Sequence, residues 1–151
     1  MRLVFLSFGK FKSKDCKALA HSYFQMASRY ADLNWVELDG SDPSAAVKKW
    51  LAQRSAKSGP RYFLCLLDER GKSFDSRAFA AQLQKIKDGS YTECIVAVSG
   101  PHGFDEELKK SAQILWSLSP MTFAHELACV VASEQLYRGL TILAGHPYHN
   151  D

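Results

Sequence analysis

Residues capable of chemistry collect in two parts of the sequence. Near its end, Glu134 and Arg138 stand four apart with the acid first, the order that favours a helical ion pair, and His146-Pro147-Tyr148-His149 follows. The planar fork of Arg138 suits a phosphate or a carboxylate, and Tyr148 or His149 can give or take a proton. Spacing alone makes Glu134 and Arg138 an exposed helix pair worth ~0.3–0.5 kcal/mol. The second part is Ser99-Gly100-Pro101-His102-Gly103. Two glycines around a proline let backbone approach a ligand closely, although an ordinary tight turn has the same composition. A branched side chain at Gly100 is expected to fill space that such a ligand needs.

Other chemistries find little support. His102, His125, His146 and His149 lack the spacing of zinc ligands, and Cys16, Cys65, Cys94 and Cys129 stand singly, so no metal is expected. The glycine fingerprints of dinucleotide and P-loop sites do not occur. Ser99 and Ser119 have no G-x-S-x-G setting, which argues against a hydrolase nucleophile.

Strands and helices must hold these groups in place. A nearly continuous apolar run at residues 3–8 reads as a buried strand, residues 33–38, with Trp35 and Val36, as a second, and the apolar stretches 62–67 and 94–98 as a third and fourth. Helical periodicity fits residues 14–30, 42–56 and 76–87, with Ser58-Gly59-Pro60 as a break after the second. Residues 68–72 read as a charged turn. A further helix is led by Asp105, Glu106 and Glu107, with Leu108, Ala112 and Leu115 facing inward. Residues 118–123 read as a short fifth strand or an extended loop. In the last helix, Leu127, Val130 and Val131 and an adjoining stripe of Ala128, Ala132, Leu136, Leu140 and Leu143 are expected to be buried, with Gly145 as the stop. Strand and helix thus alternate, which predicts an α/β fold with a mostly parallel sheet and helices on both faces. Ligands of such sheets collect at the C-terminal strand ends, here the loops after Leu67 and Val98 and the stretch leading to Phe123.

The chain of 151 residues is expected to form one domain over residues 1–151, burying about two thirds of its unfolded surface. No apolar run is long enough for a membrane span, and the opening MRLVFLSFGKFK lacks the form of a signal peptide. The unpaired cysteines favour a reduced, cytoplasmic protein. A net charge of +3 does not diagnose nucleic-acid binding. Lys10, Lys12, Lys14 and Lys17 do cluster, as a solvated surface or as phosphate contacts.

The SGPHG loop, WSLSPMTFAHEL, VASEQLYRG and the terminal HPYH, in this order and at this length, resemble one family. It is the small SPOUT-class methyltransferases (the RlmH family) that methylate a pseudouridine in bacterial large-subunit (23S) ribosomal RNA. The resemblance spans essentially the whole chain. It implies a C-terminal trefoil knot, a homodimer, S-adenosylmethionine as cofactor and methyl transfer to the position-3 ring nitrogen of a pseudouridine on the assembled ribosome. Carried over by position, the cofactor contacts fall on Leu67, Ser99, Gly100, Gly103, Leu118, Ser119, Pro120, Met121, Thr122 and Phe123. The catalytic positions fall on Glu134, Arg138, Tyr148 and His149, and the RNA contacts on His125, Arg138 and His149. The tail would then close over the pocket, beside residues of a second subunit. Ser99, Ala124 and Asn150 depart from the family's usual glycine, proline and basic residue. The alternative is an α/β module that binds RNA or protein without turnover.

Overall fold

The computed structural model describes residues 1–55 and 61–150. The Ser58-Gly59-Pro60 break, the end of the second helix at residue 56 and the terminal Asp151 lie outside the described residues. Five parallel strands stand in the order β2-β1-β4-β3-β5: β1 (Arg2–Phe8), β2 (Asp32–Leu38), β3 (Tyr62–Ser73), β4 (Glu93–Val98) and β5 (Ile114–Ser117). The helices are α1 (Lys14–Ala27), α2 (Pro43–Ser55), α3 (Ser76–Asp88), α4 (Glu106–Ser111) and α5 (His125–Leu143).

The runs of β1 and β4 are apolar on both sides because both faces of the sheet centre are covered, whereas the edge strand β2 alternates with polar residues and has none fully buried. Alternation along each strand divides the core. Leu3, Phe5, Cys94, Val96 and Val98 share one cluster with Phe24, Phe79, Leu83 and Leu136, the inward residues of α1, α3 and α5. Val4, Leu6, Ile95 and Ala97 share the other with Val47, Leu51 and Leu108 of α2 and α4. Helix starts follow local chemistry. Ser13, Asp75 and Asp105 accept hydrogen bonds from Cys16, Ala78 and Leu108, and Asp42 does the same for Ser44 and Ala45 ahead of Pro43.

Three expectations need correction. The fifth strand is Ile114–Ser117 and residues 118–123 are the extended loop of the two alternatives, while α4 stops after six residues, so Leu115 lies on a strand. Pairing with β3 outweighs the helical spacing of Leu108, Ala112 and Leu115. The charged residues 68–72 do not end β3: Leu67 and Lys72 both register with Trp116, so the strand makes an excursion and resumes. The first helix ends at Ala27, where Ser28 caps it, three residues short of Tyr30.

The last helix also differs from its expected face. Leu127 and Leu143 remain 45% and 37% exposed, and Val131 is half-buried, while Cys129, Ala132, Leu136 and Leu140 are buried against α1 and α3. Its end is a Schellman turn. Gly145, at φ 66°, donates to Ile142 and His146 donates to Thr141, which reverses the chain. Among the described residues no helix is long and apolar enough to cross a membrane.

Candidate active site

A cavity of about 390 Å³ opens at the C-terminal edge of the sheet. The excursion of β3 supplies one wall through Leu67, Asp68, Glu69 and Arg70. The loop after β4 supplies a second through Ser99, Gly100, Pro101, His102 and Gly103, closed by a bond from Gly103 N–H to Gly100 O at 3.2 Å. The third is the crossing from β5 to α5, with Leu118, Ser119, Met121, Thr122 and Phe123, and the first turn of α5 adds His125 and Ala128. Nine of the ten positions expected at the cofactor therefore share one cavity. Pro120 is exposed and does not line it.

The walls are tied to one another. Thr122 donates to the Glu69 carboxylate, Ser117 lies within hydrogen-bond distance of the carbonyls of Glu69 and Ser119, and Ser119 Oγ accepts from Met121 N–H. Asp68 accepts from Lys109 Nζ at 2.7 Å and from Arg70 N–H at 2.8 Å. Burial opposes ionisation of Asp68 most strongly, but its bonds to Lys109 and Arg70, with their charges, together hold the carboxyl below its usual range. Both ring nitrogens of His125 are buried without a hydrogen-bond partner, although the residue lines the cavity.

A Cβ at Gly100 would meet Phe8 at 3.4 Å and Pro43 at 3.8 Å, ordinary van der Waals contacts. Gly103, at φ 72°, is the position in this loop that requires glycine for its backbone. The motif located the loop without showing which glycine is constrained.

Glu134, Arg138, Tyr148 and His149 form a separate cluster. Arg138 donates to Glu134 from Nε at 3.0 Å and from its terminal nitrogen, and its Nη1 lies 3.2 Å from His149 Nδ1. Since guanidinium only donates, Nδ1 accepts there, and a neutral His149 ring carries its proton on Nε2. Tyr148 donates to Glu134 at 3.0 Å, and its ring lies 4.8 Å beneath the Arg138 guanidinium. The Glu134–Arg138 pair is not the exposed pair expected: its side chains are 15% and 25% exposed.

This cluster does not line the cavity of its own chain. Arg138 follows Ala128 by ten residues of α5, roughly 15 Å along the helix at about 1.5 Å per residue. The reversal at Gly145 lays the tail along α5 and α1, where Tyr148 meets Tyr137 and His146 meets Tyr30. The expected closure of the tail over the pocket therefore does not occur within one chain. Asp68, Lys109 and Trp116, which also line the cavity, were not singled out from sequence. Only the charge of residues 68–72 pointed near them, and Lys109 sits on α4 without a signal. Among the described residues no three His, Cys, Asp or Glu side chains gather as a metal site requires.

Comparison with known proteins places this geometry. The chain is 34% identical to a Brucella anthropi protein called ribosomal RNA large subunit methyltransferase H, with 99% of each chain covered. A Brucella ovis protein of the same name is 35% identical, again over 99% of each. Among solved structures, a probable methylase family protein from Haemophilus influenzae matches with a TM-score of 0.53 at 10% identity, over 99% of this chain and 70% of that one, a likeness of fold. The family model described as predicted SPOUT methyltransferase matches residues 1–149. This chain belongs to the SPOUT methyltransferase family.

Proposed function

We propose that this protein is a homodimeric, cytoplasmic methyltransferase that uses S-adenosylmethionine to methylate the position-3 ring nitrogen of a pseudouridine in 23S ribosomal RNA on the assembled ribosome. The observation that carries this reading is the gathering of Leu67, Ser99, Gly103, Leu118, Thr122 and Phe123 around one cavity. Its volume of about 390 Å³ falls in the range of small-molecule sites. Leu67, Leu118 and Phe123 offer apolar surface to an adenine ring, and the loop backbones offer amides and carbonyls to its edge. The ribosomal RNA substrate is supported by the names of the Brucella relatives, and the nucleotide and atom by the family resemblance. The four free cysteines support a reduced compartment.

When bound, S-adenosylmethionine supplies a methyl group on a sulfonium, open to in-line displacement. The attacking ring N–H loses its proton as the new N–C bond forms, leaving a neutral methylated base and a thioether. Tyr148 is a poor acceptor for that proton, because burial and the bond to Glu134 hold its phenol well above the ordinary range. His149 Nδ1 faces a guanidinium. The cluster instead presents donors: Arg138, fixed by Glu134, and His149 Nε2–H in the neutral ring. Such donors favour the deprotonated ring, whose charge lies on its carbonyl oxygens, so they promote proton loss to solvent. In-line displacement needs this alignment more than it needs a strong base.

The homodimer is supported by the separation of cavity and cluster. With the tail held along its own α5, the cluster serves the cavity of a second copy. The exposed Leu127 and Met121 beside that cavity offer apolar surface for the contact. The trefoil knot and the single domain belong to the same reading. The knot is supported by the family resemblance.

Calorimetry with S-adenosylmethionine, followed by transfer of labelled methyl to large ribosomal subunits and 70S ribosomes, tests the function. Binding with transfer to ribosomal pseudouridine is expected. Binding without transfer to either particle would instead favour a module that has kept the fold and lost turnover.

A further inference from the structure

The geometry points to Lys10, Lys12 and Lys14 as a phosphate-binding strip at the rim of the cavity, engaging the backbone of the RNA that carries the target nucleotide. The inference rests on the ribosomal RNA reading above and adds the residues that grip the substrate outside the reacting base. All three lysines are exposed, whereas the intervening Phe11 and Ser13 are half-buried. Phe11 packs toward Trp35, with ring centroids 6.0 Å apart. All three lysine side chains are thus left at the surface within five residues of chain.

Their charges are also free. Lys17 is paired with Glu37 at 3.2 Å, Lys48 with Asp105 at 2.9 Å, and Lys109 with Asp68 at 2.7 Å. Among the described residues Lys10, Lys12 and Lys14 have no ion pair, and neither does Asp15 next to Lys14, while the nearby Glu126 carboxylate is engaged by backbone N–H groups. Adjacent unpaired cations repel one another, and an anion such as a phosphate relieves that repulsion.

The strip is held in place from two sides. The Glu126 carboxylate accepts from the backbone N–H groups of Lys12 and of Ser13, the latter at 3.1 Å. Glu126 adjoins His125, which lines the cavity. On the other side, Phe8 lies against Gly100 of the cavity wall. The loop carrying the lysines is therefore fixed beside the opening through which a target base would enter. Modest overall charge is compatible with this, because the cationic groups are concentrated where the RNA arrives.

The test compares the full-length protein with K10Q/K12Q/K14Q and with K49Q/K85Q/K87Q, which removes equal charge from α2 and the last turn of α3. Binding to large ribosomal subunits is measured over a salt series, alongside S-adenosylmethionine affinity and methyl transfer. Each lost phosphate contact lowers the slope of log K against log salt by about 0.7–0.9, so a decrease of about 2 is expected for K10Q/K12Q/K14Q. The control variant should keep the wild-type slope, and all three proteins should bind S-adenosylmethionine equally. An unchanged slope in K10Q/K12Q/K14Q, or an equal decrease in the control, would overturn the strip. Failure of the underlying reading looks different: wild-type protein would transfer no methyl to the particle, and the inference would fall with it.

Discussion

The Tyr148 hydroxyl donates to Glu134 Oε1 at 3.0 Å, joining the tail to a helix residue fourteen positions earlier. The bond exists because Gly145 reverses the chain, and it places the phenol in a half-buried site beside a carboxylate. Burial first, and then the Glu134 bond, raise the phenol's pKa in the folded protein. A raised tyrosine contributes stability that is fully present below the unfolded value of about 10 and is lost as pH rises toward the folded value. Ultraviolet titration should therefore show Tyr148 ionising late, at the alkaline unfolding of the protein. Tyr148→Phe should remove one tyrosine from that late class. Loss of an early-titrating tyrosine instead would contradict the bond.

The Asp68–Lys109 pair gives the opposite pH signature. Its carboxylate is depressed in the folded state, so its contribution is present above the unfolded value of about 3.9 and disappears as pH falls through the folded value. Asp68→Asn should destabilise the protein by ~1–3 kcal/mol near pH 7, the cost of an unmatched buried partner. In denaturant titrations that deficit should shrink below about pH 4, as the wild-type carboxylate protonates. A deficit independent of pH would mean that the ion pair is not its source.

Gly71 shows how close approach can be hidden in sequence. A Cβ at this position would lie 2.4 Å from the Leu115 carbonyl oxygen, with backbone on both sides of the contact. Gly71→Ala must therefore push β5 away from β3, and a loss of ~1–3 kcal/mol or more is expected. Because residues 68–70 line the cavity, S-adenosylmethionine affinity should fall as well. Thermal unfolding and calorimetry on the same variant check both effects. Wild-type stability would show that the strands yield freely.

These contacts mark the boundary of what was legible beforehand. Strands at the sheet centre could be read because a two-sided sheet demands apolar runs such as residues 94–98, and the edge strand β2 was marked by Trp35 and Val36. β5 was not legible, since Leu115 continues the helical spacing of Leu108 and Ala112 and only β3, far away in sequence, recruits it. The three cavity loops followed from topology, while residue-level roles came from family resemblance. Lys109 and Trp116 were missed because nothing local distinguishes them from surface charge and core. The separation of Arg138 from the cavity was equally hidden, because the path of the tail depends on where α5 docks.

That separation leads to a test with two defective proteins. Arg138→Ala leaves the cavity untouched and should retain S-adenosylmethionine affinity while losing most methyl transfer, by about 10²-fold if alignment is its main contribution. Gly103→Val places a β-branched side chain at φ 72°, which the backbone resists, so the loop should shift and cofactor binding should fall. Each variant alone is impaired at every site. If the cluster of one copy serves the cavity of its partner, a mixed dimer carries one site with both parts intact and one with both parts damaged. After subunit exchange at equal concentrations, about half of the dimers are mixed, and about a quarter of all sites regain function. Methyl transfer measured before and after exchange should therefore rise far above the sum of the two variants. Arg138 and Gly103 acting within one chain would leave every site with one defect, and mixing would restore nothing.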